Sequence, residues 1–527
     1  MAAKRESLGR RSARTFSALT VGRTLSLLIG ILSIILIARL LGPAGYGIFT
    51  IAFAFFSLVS AASNFGFGQY LIKHLAEAED KRDRQGFSKA LGAGMASVVL
   101  IGLALTLLGI GISAPVASLL NIQGVTSTIL IIAASIVFFA MMYGSTDYAL
   151  VGAGRNMAAA ALEILENVVL LVASVWLVLL GYGPDGAVAG ILVSYMVAGA
   201  IGTYLIFRFA HKSMRVGVNV PTSHDMREAA GFALPIGGNN FMNNSMPSLA
   251  TLLLGFFISA QALGNFGIAM RARTILSTYY VTAAVTLIPT LTIATAREAK
   301  RKGESRLEYV YNKTMLYSLL ATIPIIAYLG IYSTPLIYLL ISQNFGSAPL
   351  YLSLIALGTA IGLAGVYASS MFIARAKTSK LLIYTGICTV VQLVSLAIFL
   401  PLWGVLGAIF SLFFVEGVVC DYLFLRGART VLGLKTDYGR LVRAFASNGA
   451  VAIVLAAGLL MSGLALQLVY GVIAIMIAYP FFLVLFGTMD GEDVETLRES
   501  TRKLRALRIT LGPMLTYFDF LVGALRK

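Results

Sequence analysis

The stretch TFSALTVGRTLSLLIGILSIILIARLLGPAGYGIFTIAFAFFSLVSAASNFGFGQYLIK, residues 15–73, carries only Arg23 and Arg39 as charged side chains before Lys73 closes it. A helix needs about 20 predominantly apolar residues to cross a hydrocarbon layer about 30 Å thick. This stretch supplies two such windows, 17–38 and 46–72. Ahead of it lie Lys4, Arg5, Arg10, Arg11 and Arg14, as in a signal peptide. The apolar run is too long for a cleaved segment, so it reads as a retained first helix.

The same window predicts further spans at 91–112, 125–151, 158–180, 187–207, 229–258, 266–296, 309–332, 349–373, 381–400, 405–425, 444–462 and 467–487. The expected fold class is an all-α membrane protein of about fourteen transmembrane helices. Composition agrees, with 58% hydrophobic and 12% charged residues and a mean hydropathy of +0.87. A soluble domain carries roughly 25% charged residues and could not bury so much apolar surface. The 52 glycines fit as well, because small residues let membrane helices approach closely.

Charge position tests the list of spans. Of the 40 Lys and Arg residues, 36 fall in alternate loops and the two tails, and only Arg39 falls on the opposite side. Arg23, Arg271 and Arg273 lie inside spans. The positive-inside rule then places both termini in the cytoplasm of an inner or plasma membrane. The formal charge of +17 is accounted for by anionic membrane lipids, which attract each nearby basic residue by about 1 kcal/mol. No stretch outside the spans is long enough to form a nucleic-acid-binding domain.

Gly45-Tyr46-Gly47-Ile48, opening the second span, matches Asn265-Phe266-Gly267-Ile268, opening the eighth, at an offset of 220. Gly186-Ala187-Val188-Ala189-Gly190-Ile191 matches Gly404-Val405-Leu406-Gly407-Ala408-Ile409 at 218. Nearly equal offsets at like places indicate a duplicated six-helix unit. Six being even, the copies point the same way, the parallel-repeat plan with a substrate site between halves. The expected organisation is a basic tail (1–16), an N-lobe (17–207), a linker (208–228), a C-lobe (229–425), a loop (426–443), two further helices (444–487) and a cytoplasmic tail (488–527). In that tail Val494, Leu497, Leu504, Leu507 and Leu511 have helical spacing among arginines, which predicts an amphipathic helix on the membrane surface. The following PMLTYFDFLVGAL is too short to span and is expected at the interface.

Ionisable side chains inside spans cost several kcal/mol unless they face a cavity or a partner. Arg23 lies about two turns into the first span, and Arg271 and Arg273 lie in the outer part of the eighth. Arg271, Thr274, Thr278 and Thr282 share one stripe, while Arg273 points toward Ser277 and Tyr280. A guanidinium suits phosphate by geometry and permanent charge, which makes the three arginines candidates for an anionic substrate group; snorkelling or an ion pair between helices is the alternative. Between Pro235 and Pro247 the seventh span carries Gly237, Gly238, Asn239, Asn240, Asn243, Asn244 and Ser245. It reads either as a bent helix offering amides to sugar hydroxyls or as hydrogen-bonding glue between helices.

Among the acids, Asp147, Glu163 and Asp421 are expected to pair with neighbouring arginines, whereas Glu166 and Glu416 sit deeper and are candidates for coupling to Na⁺ or H⁺. No catalytic set stands out. His74, His211 and His224 lack metal spacing, and no phosphate-binding GxxxxGK[ST] is present. Cys388 and Cys420 read as separate buried hydrophobes, with no CxxC spacing. No other cofactor is expected.

Two stretches, ARLLGPAGYGIFTIAFAFFSLVSAASNFGFGQYLIK (Ala38–Lys73) and LGNFGIAMRARTILSTYYVTAAVTLIPTLT (Leu263–Thr292), resemble polysaccharide-type flippases of the multidrug/oligosaccharidyl-lipid/polysaccharide exporter superfamily, as do the glycine-rich openings of spans six and twelve. The resemblance covers essentially the whole chain. It implies a MATE-like fold of two six-helix lobes with two extra C-terminal helices, no enzymatic activity, and alternating access. The implied substrate is a polyprenyl or dolichyl (pyro)phosphate-linked oligosaccharide, held by arginines on spans one and eight; Arg23 and Arg271 or Arg273 occupy such places. Glycan-assembly proteins are further expected partners. The drug-exporting branch carries acidic residues on its first helices, and span one here has none. A cation-coupled multidrug exporter and a peptidoglycan-precursor flippase are the alternatives. A membrane glycosyltransferase is disfavoured because the longest outer loop, Ser333 to Ala348, contains no acid.

Overall fold

The computed structural model describes residues 8–61, 66–120, 122–211, 222–275, 277, 305–375, 377–489, 493, 495, 516–518, 520, 521 and 523, and their side chains from Gly22 onward apart from several in the seventh span and those of 305–307. Thr278, Tyr280, Thr282, Val494, Leu497, Leu504, Leu507 and Leu511 therefore lie outside the described residues. The described chain is helical, with no strand. It divides into two units, Met1–Gly267 and Ile268–Lys527.

Nine described helical stretches are long and apolar enough to cross a membrane, ten if a bent pair counts as one; the count of fourteen stays an expectation. Breaks inside the longest stretches fall where the sequence ends one span and starts the next. In α1 (Leu8–Ala61), 54 residues would reach about 80 Å as one helix. Instead Gly42 turns to φ 65°, ψ 179°, with Pro43 following. A glycine at positive φ ends one helix, and proline, which needs no N–H partner, opens the next.

In the first unit α2 (Phe67–Lys81) extends past the expected end of the second span at residue 72 and buries Phe67, Tyr70, Leu71, Leu75 and Ala78 along one face. It packs on α3 (Arg84–Leu119) and α4 (Ser127–Gly152). Asp83 and Thr126 cap these two helices by accepting from Gly86 N and Ile129 N. Next come α5 (Asn156–Leu177), α6 (Gly183–Phe209), α7 (Ser223–Leu254) and α8 (260–275), whose residues from Ile268 on belong to the second unit. Helix α7 starts at a capping box of Thr222 with Asp225, runs through Pro235 and Pro247, and packs on α1.

The repeat-matched glycines meet at a crossing. A Cβ on Gly47 would stand 1.9 Å from the Ala260 carbonyl oxygen, and one on Gly264 would stand 1.9 Å from that of Pro43. A Cβ on Gly267 would stand 2.3 Å from Thr50 Oγ1. The second half of α1 thus lies backbone to backbone on the start of α8.

The second unit contains α9 (Ser305–Ile331), α10 (Ser333–Leu340), α11 (Ala348–Ile361), α12 (Leu363–Ala374), α13 (Thr378–Trp403), α14 (Val405–Ile409), α15 (Glu416–Leu432), α16 (Tyr438–Ala457) and α17 (Leu464–Leu485). The hairpin from α13 to α14 turns at Gly404 (φ 54°, ψ −125°), and that from α5 to α6 turns at Gly183 (φ 53°, ψ −135°). The same backbone twist thus recurs beside the second pair of matched motifs. Tyr311, Met315, Leu319 and Ile323 of α9 pack with α12 and α15, while Leu316 and Leu320 pack with α16 and α17. Tyr332 and Tyr479 donate to the Leu455 and Leu320 carbonyls, each at 2.6 Å. The two helices outside the repeat are thereby stapled to α9.

Two expectations are corrected. Cys388 of α13 and Cys420 of α15 are joined as a disulfide, with Cα atoms 5.9 Å apart. Packing of α13 on α15 brings them within bridging range, which their separation of 32 residues hides. The tail after α17 is packed on protein where it is described. Asp493 is fully buried, ion-paired with Lys313 of α9, and accepts from Tyr317 Oη at 2.6 Å. Phe518 and Leu521, of the segment expected at the interface, are buried in the cluster that contains Leu316 and Tyr332. A buried aspartate with a lysine partner ties the chain to α9 at this one position.

Candidate functional site

In the first unit, Arg23, Ser26 and Gly30 recur at helical spacing along α1 and face Ala160, Glu163 and Asn167 on α5. Gly22 meets Ala160, and a Cβ on Gly30 would stand 3.0 Å from Asn167 Oδ1. Small residues thus let two helices close around a polar seam. Arg23 Nε lies 3.7 Å from Glu163 Oε2, and the two side chains are 63% and 33% exposed. Ser26 Oγ donates to the Glu163 carbonyl oxygen (3.2 Å). Asn167 Nδ2 donates to Ser26 Oγ (2.9 Å) and to Glu166 Oε2 (2.8 Å). Ser194 of α6 donates to Glu166 Oε1 (3.4 Å). Glu166 is therefore buried and satisfied by neutral donors, while Glu163 has the arginine that the sequence predicts.

From α4, Asp147 and Tyr143 lie close enough to interact electrostatically with Glu163. The Tyr143 ring packs on Tyr195, Tyr195 on Phe56, and Phe56 on Phe53. An aromatic run therefore borders the polar seam.

In the second unit, the Arg273 guanidinium lies 4.8 Å over the Phe413 ring and interacts electrostatically with Glu416. Its Nε is buried without a hydrogen-bond partner among the described residues. Glu416 Oε2 accepts from Gln392 Nε2 at 2.8 Å. Arg271 is half-buried, and Thr274 donates to the Met270 carbonyl. Asp421, expected beside an arginine, instead accepts from the backbone N–H of Gly365. Helices α11 and α12 are bent by 46° at Gly362, so the first N–H groups of α12 have no partner within their own helix. Asp421 supplies one.

On α7, Asn239, Asn240, Asn243 and Asn244 are helical; Asn244 is exposed, Ser245 is buried, and the other three side chains lie outside the described residues. Ser194, Gln392 and Phe413 were not singled out in the sequence. Isolated polar residues in apolar spans, Ser194 and Gln392 among them, were the available signal. No group of three or more His, Cys, Asp and Glu among the described residues is arranged to hold a metal ion.

The fold is similar to that of the lipid II flippase MurJ in an inward closed conformation, with a TM-score of 0.69 at 15% identity over 88% of this chain and 98% of that one. It is also similar to an inward-facing multidrug resistance MATE family transporter of the MOP superfamily, with a TM-score of 0.63 at 16% identity over 79% of this chain and 98% of the other. A MOP superfamily transporter from Pyrococcus furiosus Vc1 (DSM3638), described as having a binding pocket of reverse polarity, gives 0.55 at 19% identity over 80% and 96%. These likenesses show the fold, one shared with the MurJ and MATE structures, and the long apolar helices define the class, a multi-pass membrane protein. No curated protein matches the chain by sequence. The family model for polysaccharide biosynthesis proteins matches residues 12–295, and the chain belongs to that family.

Proposed function

We propose that this protein is a flippase that carries a lipid-linked oligosaccharide, attached through a (pyro)phosphate to a polyprenyl or dolichyl chain, from the cytoplasmic to the outer leaflet. Its two six-helix lobes, residues 17–207 and 229–425, exchange inward- and outward-open arrangements, with both termini cytoplasmic. The protein positions and releases its cargo and makes no covalent bond to it. The observation that carries this reading is Arg23, a guanidinium on a membrane helix that stays 63% exposed, with one long ion pair among the described residues. A permanently charged fork of donors at membrane depth suits a phosphate that could not cross the bilayer unaided. Membership of the polysaccharide biosynthesis family supports the glycan.

Arg271 and Arg273 are the second contribution to the head group, and the α7 asparagines are assigned to sugar hydroxyls. Coupling to Na⁺ or H⁺ is assigned to Glu166 and Glu416, the acids held by neutral amides or hydroxyls. The test is export of surface glycan by cells carrying Arg23→Ala with Arg271→Ala. We expect export to be lost with the protein still in the membrane. Full export by the double variant would refute the site, and efflux of amphipathic cations by the wild type would favour a drug exporter.

A further inference from the structure

The two glutamates of α5 near Arg23 are held very differently. Glu166 is 7% exposed and fixed by Asn167 and Ser194. The Glu163 carboxylate is one-third exposed and its ion pair with Arg23 is long; Ser26 beside it donates to the backbone carbonyl. An ion pair this long and this little covered by protein is exchangeable. A phosphate presents more acceptor oxygens and can take the guanidinium two bonds at a time.

We propose that Glu163 is a placeholder anion: it occupies Arg23 in the empty transporter, and the phosphate of the cargo displaces it, whereupon Glu163 takes up a proton. This rests on Arg23 being the phosphate site. The proton follows from the surroundings. Glu163 is faced by Arg23 from α1, by Asp147 and Tyr143 from α4 and by Glu166 on its own helix. Arg23 is the one cation in that set. With phosphate on Arg23, a charged Glu163 would stand next to Asp147 and Glu166 with nothing to offset it at membrane depth, and such a group neutralises. Phosphate entry and proton uptake are then linked, and Glu163 becomes a specificity residue that admits anionic head groups and excludes neutral ones, which cannot displace it.

The test uses the full chain in lipid nanodiscs and a long-chain dialkyl phosphate diester, whose single charge is constant across the assay. For the wild type, affinity should rise as pH falls, approaching about tenfold per pH unit for one linked proton, and a pH indicator in weak buffer should record proton uptake on binding. Glu163→Gln should bind about fivefold tighter at neutral pH, as expected when an exposed competing pair is removed, and lose the pH slope. Wild-type binding that is pH-independent and takes up no proton overturns the inference without recourse to any variant. An Arg23→Ala protein that binds the diester normally overturns the arginine site itself. If Arg23→Ala loses binding while Glu163→Gln keeps wild-type affinity and slope, the site stands and the placeholder falls.

Discussion

Replacing Gly47 with alanine tests the crossing on which the first unit is built. The new Cβ would lie 1.9 Å from the Ala260 carbonyl oxygen and 3.1 Å from Gly264 N, both backbone atoms. A carbon rests about 3.3–3.6 Å from a carbonyl oxygen, so the second half of α1 and the start of α8 must part by roughly 1.5 Å. Neither neighbour can rotate away, so the cost belongs at the upper end of overpacking, about 3 kcal/mol. Gly264→Ala should cost as much, because its Cβ meets the Pro43 carbonyl at 1.9 Å. Gly267→Ala should cost less. Its obstacle is Thr50 Oγ1, which can turn aside by giving up its 2.7 Å bond to the Tyr46 carbonyl, a loss of about 1 kcal/mol. Gly111→Ala on α3 meets nothing within 4 Å and should be neutral or gain up to about 1 kcal/mol in helix propensity. Thermal unfolding of the four purified variants in detergent should rank Gly47 and Gly264 least stable, then Gly267, then Gly111 at or above wild type. A Gly47→Ala protein as stable as Gly111→Ala would refute the crossing.

Asp421→Leu should lower thermal stability by about 1–3 kcal/mol by leaving a buried N–H unpaired, while Asp421→Asn, whose amide oxygen can still accept, should keep both stability and export; loss of export in the asparagine variant would mean that the carboxylate serves coupling. Asp493→Ala leaves Lys313 buried without its counter-charge, a change worth about 3–5 kcal/mol, so limited proteolysis should cut the chain after α17 faster than in the wild type. The hydrogen bond from Thr222 N holds the Asp225 carboxyl below the usual carboxylate range. A depressed folded value means that this cap is complete above the usual carboxylate pKa and is lost as pH falls through the depressed one, so amide exchange in the first turn of α7 should quicken only in that acid window.

The breaks within α1 and between α5 and α6 were legible because they are written in single residues. Gly42 followed by Pro43, and Gly181 and Gly183 around the expected turn at 180–187, stop and restart helices by backbone conformation alone, whatever packs around them. The pairing of Arg23 with Glu163 was legible as a cost that required a partner. The aromatic run from Phe53 to Tyr143 was not, because its four rings come from three helices and the separations between helices in sequence carry no period. The cysteine bridge and the buried Asp493 were hidden for the same reason.

The intramembrane acids show why such partners escape a reading of sequence. Hydrophobicity makes every carboxylate in a span expensive, so the sequence marks Asp421, Glu163, Glu166 and Glu416 as needing relief and separates the deeper Glu166 and Glu416 from the other two, without naming the partner of any. What relieves the cost depends on which helix arrives opposite, and four solutions are used: an arginine for Glu163, an amide and a hydroxyl for Glu166, a glutamine with an arginine nearby for Glu416, and the open end of a broken helix for Asp421. Of these, the first relies on a partner that an incoming anion can take away. Glu166 and Asp421 rest on neutral donors or on backbone that stays in place whatever is bound, and Glu416 keeps Gln392 besides the nearby Arg273. In the proposed cycle the substrate phosphate therefore exchanges with Glu163 at Arg23, where one anion can replace another, while Glu166 and Glu416, the acids assigned to coupling, keep their neutral donors.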